Sequence, residues 1–230
     1  MYIILINNKL RINIAEIETE KEVQDLINNR SDLDYLLQIA MSQKNKFLVK
    51  ALIKKGANVN YYGNLSYVIE EIRCPQILKL LIDRGANVNE EYPDSDGFGV
   101  TYPLDCAILD PSTQQLKILL DNGAKVNPPK TLVFGHSTLH FAVLKHHFEA
   151  VDLLLKYGAN VHALNDCHET PLHTATATQN ELNCAQITKL LLEYDSNPCQ
   201  KDVDGENPVE GSFKYNKLHM MKIILKHYHE

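Results

Sequence analysis

The sequence has no long apolar run. Its longest, Tyr2 to Ile6, falls far short of the roughly 20 residues of a membrane-crossing helix. No basic residue precedes that run and no small-residue cleavage site follows it, so neither a membrane span nor a secretory signal is expected. A basic excess is absent as well. The 23 basic and 29 acidic side chains leave a net charge of -6, with a pI near 5.9, which argues against electrostatic binding of nucleic acid. The five cysteines, at 74, 106, 167, 184 and 199, form no paired framework. Free thiols in a reducing, cytoplasmic compartment are the simplest reading. Also missing are a His-Glu-x-x-His pair, a Cys-x-x-Cys pair and a phosphate-cradling glycine loop. What remains is a chain that is 44% apolar, enough to build a packed core, and marked self-similarity along it.

Gly-Ala-Asn-Val-Asn occurs at 56–60 and again at 85–89. Gly-Ala-Lys-Val-Asn follows at 123–127, Gly-Ala-Asn-Val-His at 158–162, and a degraded Asp-Ser-Asn-Pro begins at Asp195. Each copy ends a leucine-rich helical run: Leu48–Lys55, Ile77–Arg84, Leu116–Asn122, Val151–Tyr157 and Ile187–Tyr194. Ahead of those runs sits a second signature, clearest at Thr170-Pro171-Leu172-His173-Thr174-Ala175. Its variants are Ser137-Thr138-Leu139-His140-Phe141-Ala142 and Tyr102-Pro103-Leu104-Asp105-Cys106-Ala107. Together these residues resemble the ankyrin repeat, whose unit opens on Thr-Pro-Leu-His-x-Ala and closes on a Gly-Ala turn. The resemblance covers residues 32–230 and implies an all-α solenoid of helix-turn-helix units with hairpin-like fingers. Six units are expected, at about 32–60, 61–89, 90–127, 128–162, 163–199 and 200–230.

The residue chemistry agrees. Proline suits a first helical turn, and the threonine before it can cap that turn. The motif histidine reads as a hydrogen-bonding tie between neighbouring units. Small residues such as Ala40, Ala107, Ala142 and Ala175 allow close helix approach. Glycine after the second helix can take the left-handed closing position. One such unit cannot bury its own apolar face, so it must stack. The polar ending Lys226, His227, His229 and Glu230 suits a C-terminal cap. Residues 1–31 lie outside the pattern. Tyr2–Ile6 and Leu10–Ile14 around Asn7-Asn8-Lys9 predict a short β-hairpin, and Glu16–Asn29 an acidic amphipathic helix with Val23, Leu26 and Ile27 on one face.

The resemblance implies a partner protein held along a concave face of fingers and first helices. Carried onto this chain, the finger candidates are Tyr61, Tyr62, Glu91, Tyr92, Asp94, Asp96, Phe98, Phe134, His136 and His168. The outward first-helix candidates are Leu109, Asp110, Leu144, Lys145, Lys214 and Tyr215. Exposed aromatic tips are common recognition anchors, and the acidic finger after Asn89 favours a partner with a basic surface. A monomer with no cofactor, no metal, no nucleic acid and no membrane partner is expected. No stretch outside the repeats is long enough for a separate catalytic domain, so the expected function is non-enzymatic scaffolding or sequestration. Only four of the basic residues are arginine, and Asn and Ile are abundant, a bias that suits an AT-rich genome. An effector in a host cytosol, bacterial or viral, is a role that resemblance leaves open. The alternative is a metal-dependent or enzymatic regulator built from the paired groups His136/His140, His146/His147 and Cys167/His168.

Overall fold

The structure, a computed structural model, describes residues 3–6, 10–13, 16–28, 32–60, 64–93, 100–129, 133–177 and 181–229. The expected tip residues Tyr61, Tyr62, Asp94, Asp96 and Phe98 lie outside them. The chain forms two compact units, residues 1–90 and 91–230. Among the described residues no helix is long and apolar enough to cross a membrane.

The first unit opens with the expected hairpin. Strands β1 (Ile3–Ile6) and β2 (Leu10–Asn13) pair antiparallel, with Ile3 opposite Asn13 and Ile6 opposite Leu10. The acidic helix α1 (Glu20–Asn28) begins later than its pattern suggested, because Thr19 and Glu22 form the cap: the Thr19 N–H and hydroxyl both donate to Glu22 Oε2, at 2.9 and 2.7 Å. Its apolar face, Val23 and Leu26, is buried where α1 packs on α3 (Lys46–Lys54). Asn45, the cap of α3, donates to the Ile17 carbonyl at 2.9 Å and fixes that approach. Helix α2 (Leu33–Ser42) pairs with α3. Asp32 and Asn45 each accept a backbone N–H three residues on, at 3.0 and 2.9 Å, which satisfies amides otherwise left orphaned at a helix start.

The second helix pair departs from the simple pattern. A short α4 (Asn64–Tyr67) runs into a π-helical segment, Val68–Ile72. The Arg73 N–H closes that segment onto the Val68 carbonyl at 2.8 Å, and Arg73 takes a left-handed φ of 48°. The wider turn brings Val68, Ile69 and Ile72 to one buried side in a unit whose first helix is short. Helix α5 (Pro75–Asp83) follows and packs on α3. The Asn60 side chain then spans the two units of repeat sequence. It donates to the Gly85 carbonyl at 3.1 Å and accepts the Asn87 N–H at 2.9 Å.

The second unit begins with a finger whose strands β3 (Tyr92–Pro93) and β4 (Val100–Thr101) pair antiparallel. Four helix pairs follow: α6 (Pro103–Ala107) with α7 (Gln114–Asp121), and α8 (Thr138–Leu144) with α9 (Phe148–Lys156). Next come α10 (Pro171–Ala177) with α11 (Glu181–Glu193), and α12 (Pro208–Lys214) with α13 (Leu218–His229). First helices stack on first helices, α6 on α8, α8 on α10 and α10 on α12. Second helices do the same, α9 on α11 and α11 on α13. The core runs down the middle of the stack through Leu119, Leu139, Leu154, Leu172, Leu191 and Ile224, none more than 1% exposed. The unit architecture read from the repeats, an all-α stack with hairpin-like fingers, is the one observed.

The second-helix ends show why the glycines recur. At Gly158 (φ 85°) the Gly158 N–H bonds the Leu155 carbonyl at 3.0 Å and the Ala159 N–H the Leu154 carbonyl at 2.9 Å. That closing pattern needs a left-handed residue. The degraded copy keeps the geometry without the glycine. Asp195 adopts φ 62°, with bonds to Leu192 at 2.9 Å and from Ser196 to Leu191 at 3.0 Å.

Candidate functional site

The motif histidines tie each unit of repeat sequence to the next. His140 Nδ1 lies 2.7 Å from the Ser137 hydroxyl, and its Nε2 lies 3.0 Å from the Glu169 carbonyl in the following finger. His173 repeats the arrangement, with Nδ1 2.9 Å from the Thr170 hydroxyl and Nε2 3.3 Å from the Glu206 carbonyl. Burial pushes the His140 pKa down to about 4, and that of His173 is lowered by the same cause. Both rings are therefore neutral at physiological pH, with one nitrogen donating and one accepting. In the third unit Asp105 stands at this position. It accepts the Tyr102 N–H at 3.0 Å, but its other oxygen is buried without a hydrogen-bond partner. Burial raises its pKa to about 6, against the lowering effects of Tyr102 and Thr138.

The fingers are built by a side chain not anticipated from the sequence. Asn165 Oδ1 accepts the N–H groups of Cys167 and Glu169, both at 2.9 Å, and the Asn165 N–H closes the loop on the Glu169 carbonyl at 3.1 Å. Asp202 does the same, accepting from Asp204 and Glu206 at 2.9 Å and donating to Glu206 at 3.0 Å. His168 (φ 57°) fills the left-handed place that Gly205 (φ 78°) holds in the next finger. The signal is present in the sequence as Asn165-x-x-x-Glu169 and Asp202-x-x-x-Glu206, each at the same position of its repeat.

Adjacent fingers are joined edge to edge. The Asp166 N–H donates to the Phe134 carbonyl at 3.0 Å, and the Val203 N–H to the Cys167 carbonyl at 3.0 Å. Phe134 (φ 62°) and Gly135 (φ 70°) turn the chain sharply where this happens. These two bonds link three successive fingers, those carrying Phe134, Cys167 and Val203, into one edge.

On that row the structure places Phe134 outward, 68% exposed. His136 is half-buried, its ring 6.2 Å edge-on from Phe134 and 5.5 Å from His140. Burial lowers the His136 pKa, so this ring too is neutral. His168 is exposed. Glu91 is exposed and accepts the Tyr102 hydroxyl at 3.4 Å, while Tyr92 is half-buried opposite Thr101.

The residues expected outward on the first helices, just past the motif alanines, lie at or just after the helix ends. α6 stops at Ala107, so Leu109 and Asp110 fall in the turn after it. Leu144 and Lys214 are the last residues of α8 and α12, and Lys145 and Tyr215 follow them. Leu109 (47%), Leu144 (36%) and Tyr215 (51%) present apolar surface there. Lys145 caps the Phe141 ring at 4.9 Å, and Lys214 pairs with Glu206 at 2.9 Å.

Two strongly exposed apolar residues join this surface that sequence reading did not single out, Val203 at 58% and Phe213 at 70%. Val203 is a finger residue aligned with Asp166. Phe213 aligns with Ile108, Val143 and Thr176, all buried. No local sequence feature distinguishes Phe213 from them. The polar ending expected of a cap is therefore accompanied by an exposed aromatic on α12.

The histidine and cysteine groups fall into separate surroundings. His146 Nδ1 lies 3.3 Å from the buried Cys184 Sγ, His147 caps α9 and reaches the Asp110 carbonyl at 3.1 Å, and Cys167 is exposed. Among the described residues no group of three or more His, Cys, Asp or Glu side chains is placed to hold a metal ion.

Comparison with known proteins agrees with this geometry. The family model for ankyrin repeats matches residues 104–202 and 139–230, in three copies. An ankyrin repeat protein of fowlpox virus is 29% identical over 155 residues, 66% of this chain and 43% of the relative. One from Acanthamoeba polyphaga mimivirus is 25% identical over 273 aligned positions, 96% of this chain and 34% of the relative. One from Rickettsia felis is 28% identical over 120 residues, 50% of this chain and 38% of the relative. The chain thus spans well under half the length of the relatives it matches.

Proposed function

Because the chain belongs to the ankyrin-repeat family, whose repeats are generally protein–protein interaction modules, we propose that it binds a partner protein and catalyses no reaction. The surface of the second unit that serves is the row of finger tips with the adjoining first-helix ends. The observation that carries this reading is the set of exposed apolar side chains Leu109, Leu144 and Tyr215 at the first-helix ends and Phe134 on a finger that a backbone hydrogen bond joins to the next. Apolar anchors on a preorganised frame bind with little ordering cost. The carboxylate of Glu91, exposed at the start of the first finger of this unit, adds attraction for a basic partner surface and speeds association.

His140 and His173 are engaged in structural hydrogen bonds, which favours binding over metal chemistry. Its acting as a monomer in a cytoplasmic compartment belongs to the same reading. So does an effector role on a host protein, which gains support from relatives in two large DNA viruses and a Rickettsia. The test is affinity capture with the wild-type chain and with a variant carrying Tyr92, Phe98 and Phe134 as alanine. Loss of a captured protein assigns the fingers to the site, and unchanged capture removes them from it. Stoichiometric zinc in the purified protein would replace this reading with the metal-dependent alternative.

A further inference from the structure

The second helices carry a feature that the finger surface does not use. α11 and α13 lie side by side, held in register by the Thr188 hydroxyl 3.8 Å from Met220 Sδ. Between them runs a groove of about 360 Å³. Lys189 on α11 and Lys222 and Lys226 on α13 rim it, Leu192 and Ile223 form its floor, and two histidines complete it. Glu193 is its one carboxylate.

The charge of this groove is opposite in sign to the net charge of the chain. The protein as a whole carries a net charge of -6, yet α13 contains no acidic residue. On α5 and α9 the second-helix lysines are neutralised on their own helix, whereas α3, with Lys46, Lys50 and Lys54, shares with α13 the lack of an acidic residue. Lys79 pairs with Asp83 at 3.0 Å, and Lys156 with Asp152 at 2.6 Å. Among the described residues, no ion pair engages Lys189 or Lys222. Their spacing is that of a helical stripe: Lys189, Leu192 and Glu193 follow i, i+3, i+4, and Lys222, Ile223 and Lys226 follow i, i+1, i+4. Lys222 and Lys226 are thus about one helical turn apart on α13, with Lys189 facing them from α11 and apolar residues between.

We propose that the α11–α13 groove is a second interaction surface that binds an acidic amphipathic segment of a partner protein. An aliphatic side chain of that segment rests on the half-buried Ile223 and the lysine stems, above the buried Leu192, and its carboxylates meet the lysine ammonium groups. A compact anion such as phosphate is a poorer match. Lysines on flexible stems act as separate point charges rather than as a converging fork, and charges strung along a groove suit a ligand with several carboxylates in a row. The apolar floor selects a peptide over a purely polar polyanion, which has nothing to place there.

The test is fluorescence anisotropy with the full chain and a labelled helical peptide of about 15 residues, with glutamates at i, i+4 spacing beside a leucine stripe. Saturable binding that weakens with added salt is expected. The double variant Lys189→Glu/Lys222→Glu should weaken it by about tenfold or more, whereas Phe134→Ala/Leu144→Ala/Tyr215→Ala should leave it unchanged. Should the charge-reversed protein fail to show a wild-type thermal transition, Lys189→Gln/Lys222→Gln takes its place with the same direction of change. The proposal is overturned by the absence of saturable binding, by equal affinity for the peptide with glutamine in place of glutamate, or by indifference to the lysine variants. Equally tight binding of a single-stranded oligonucleotide would also overturn it, in favour of a nonspecific polyanion surface.

Discussion

The backbone N–H of Asp166 donates to the carbonyl oxygen of Phe134 at 3.0 Å, although the two residues belong to different repeat units. That bond joins one finger to the next at the point where Phe134 is most exposed. It makes the tips a continuous edge rather than independent loops, and the candidate binding surface rests on it.

Gly135 is the residue that permits this approach. Its φ is 70°, and a Cβ there would lie 2.3 Å from Asp166 Oδ1 and 2.8 Å from the Asp166 backbone nitrogen. Gly135→Ala therefore combines left-handed strain with a clash against backbone, at a cost on the order of 1–3 kcal/mol. Gly123→Ala is the control. Its φ is 86° but nothing lies within 4 Å, so only the backbone term applies, about 1 kcal/mol. Urea unfolding gives the two costs, and faster hydrogen exchange at the Asp166 amide in the Gly135 variant alone would locate the damage.

Asp195 holds a left-handed closing position, φ 62°, that glycine holds at the end of α3, α5, α7 and α9. Asp195→Gly removes that strain while keeping both closing bonds. A gain of about 0.5–1 kcal/mol is expected, less any loss from the greater freedom of glycine in the unfolded chain. Thermal unfolding checks it, and destabilisation by this substitution would show that the aspartate side chain contributes more than its backbone costs.

Asp105 supplies a pH test. Its folded pKa is raised to about 6, above the value near 3.9 of an unfolded aspartate. Between those values the folded state binds more protons than the unfolded one, so this group makes stability fall as pH rises from about 4 to about 6. Asp105→Asn retains an oxygen for the Tyr102 N–H and removes the titration. The variant should exceed wild type by on the order of 2 kcal/mol above pH 6.5, with the advantage shrinking towards pH 4. His140, held at a pKa of about 4, contributes a slope of opposite sign and cancels in the comparison. Urea midpoints at both ends of the range decide it. A constant difference would mean that Asp105 does not titrate in that window.

The recurring helix pairs and the tying role of His140 and His173 were legible in the sequence, because each depends on residues close together in a recurring pattern. The π-helical segment at Val68–Ile72 was not, since it arises from fitting a shortened unit between complete ones. The exposure of Phe213 was invisible because its equivalents Ile108, Val143 and Thr176 are buried. Only the neighbour stacked on each position distinguishes them. Asn165 and Asp202, by contrast, carried a readable signal in their shared offset to Glu169 and Glu206.

The central claim is that exposed apolar side chains on the joined finger row and the adjoining first-helix ends engage a partner protein. Its most direct test compares capture by the wild-type chain with capture by Phe134→Ala/Leu144→Ala/Tyr215→Ala, quantified for each retained protein and paired with thermal unfolding of both baits. These three side chains are substantially exposed, so the folded state should survive with little change in its transition. The account predicts a partner held by the wild-type chain and depleted by tenfold or more from the variant, the order of effect that loss of interface anchors produces. Equal recovery from two equally folded baits would contradict it.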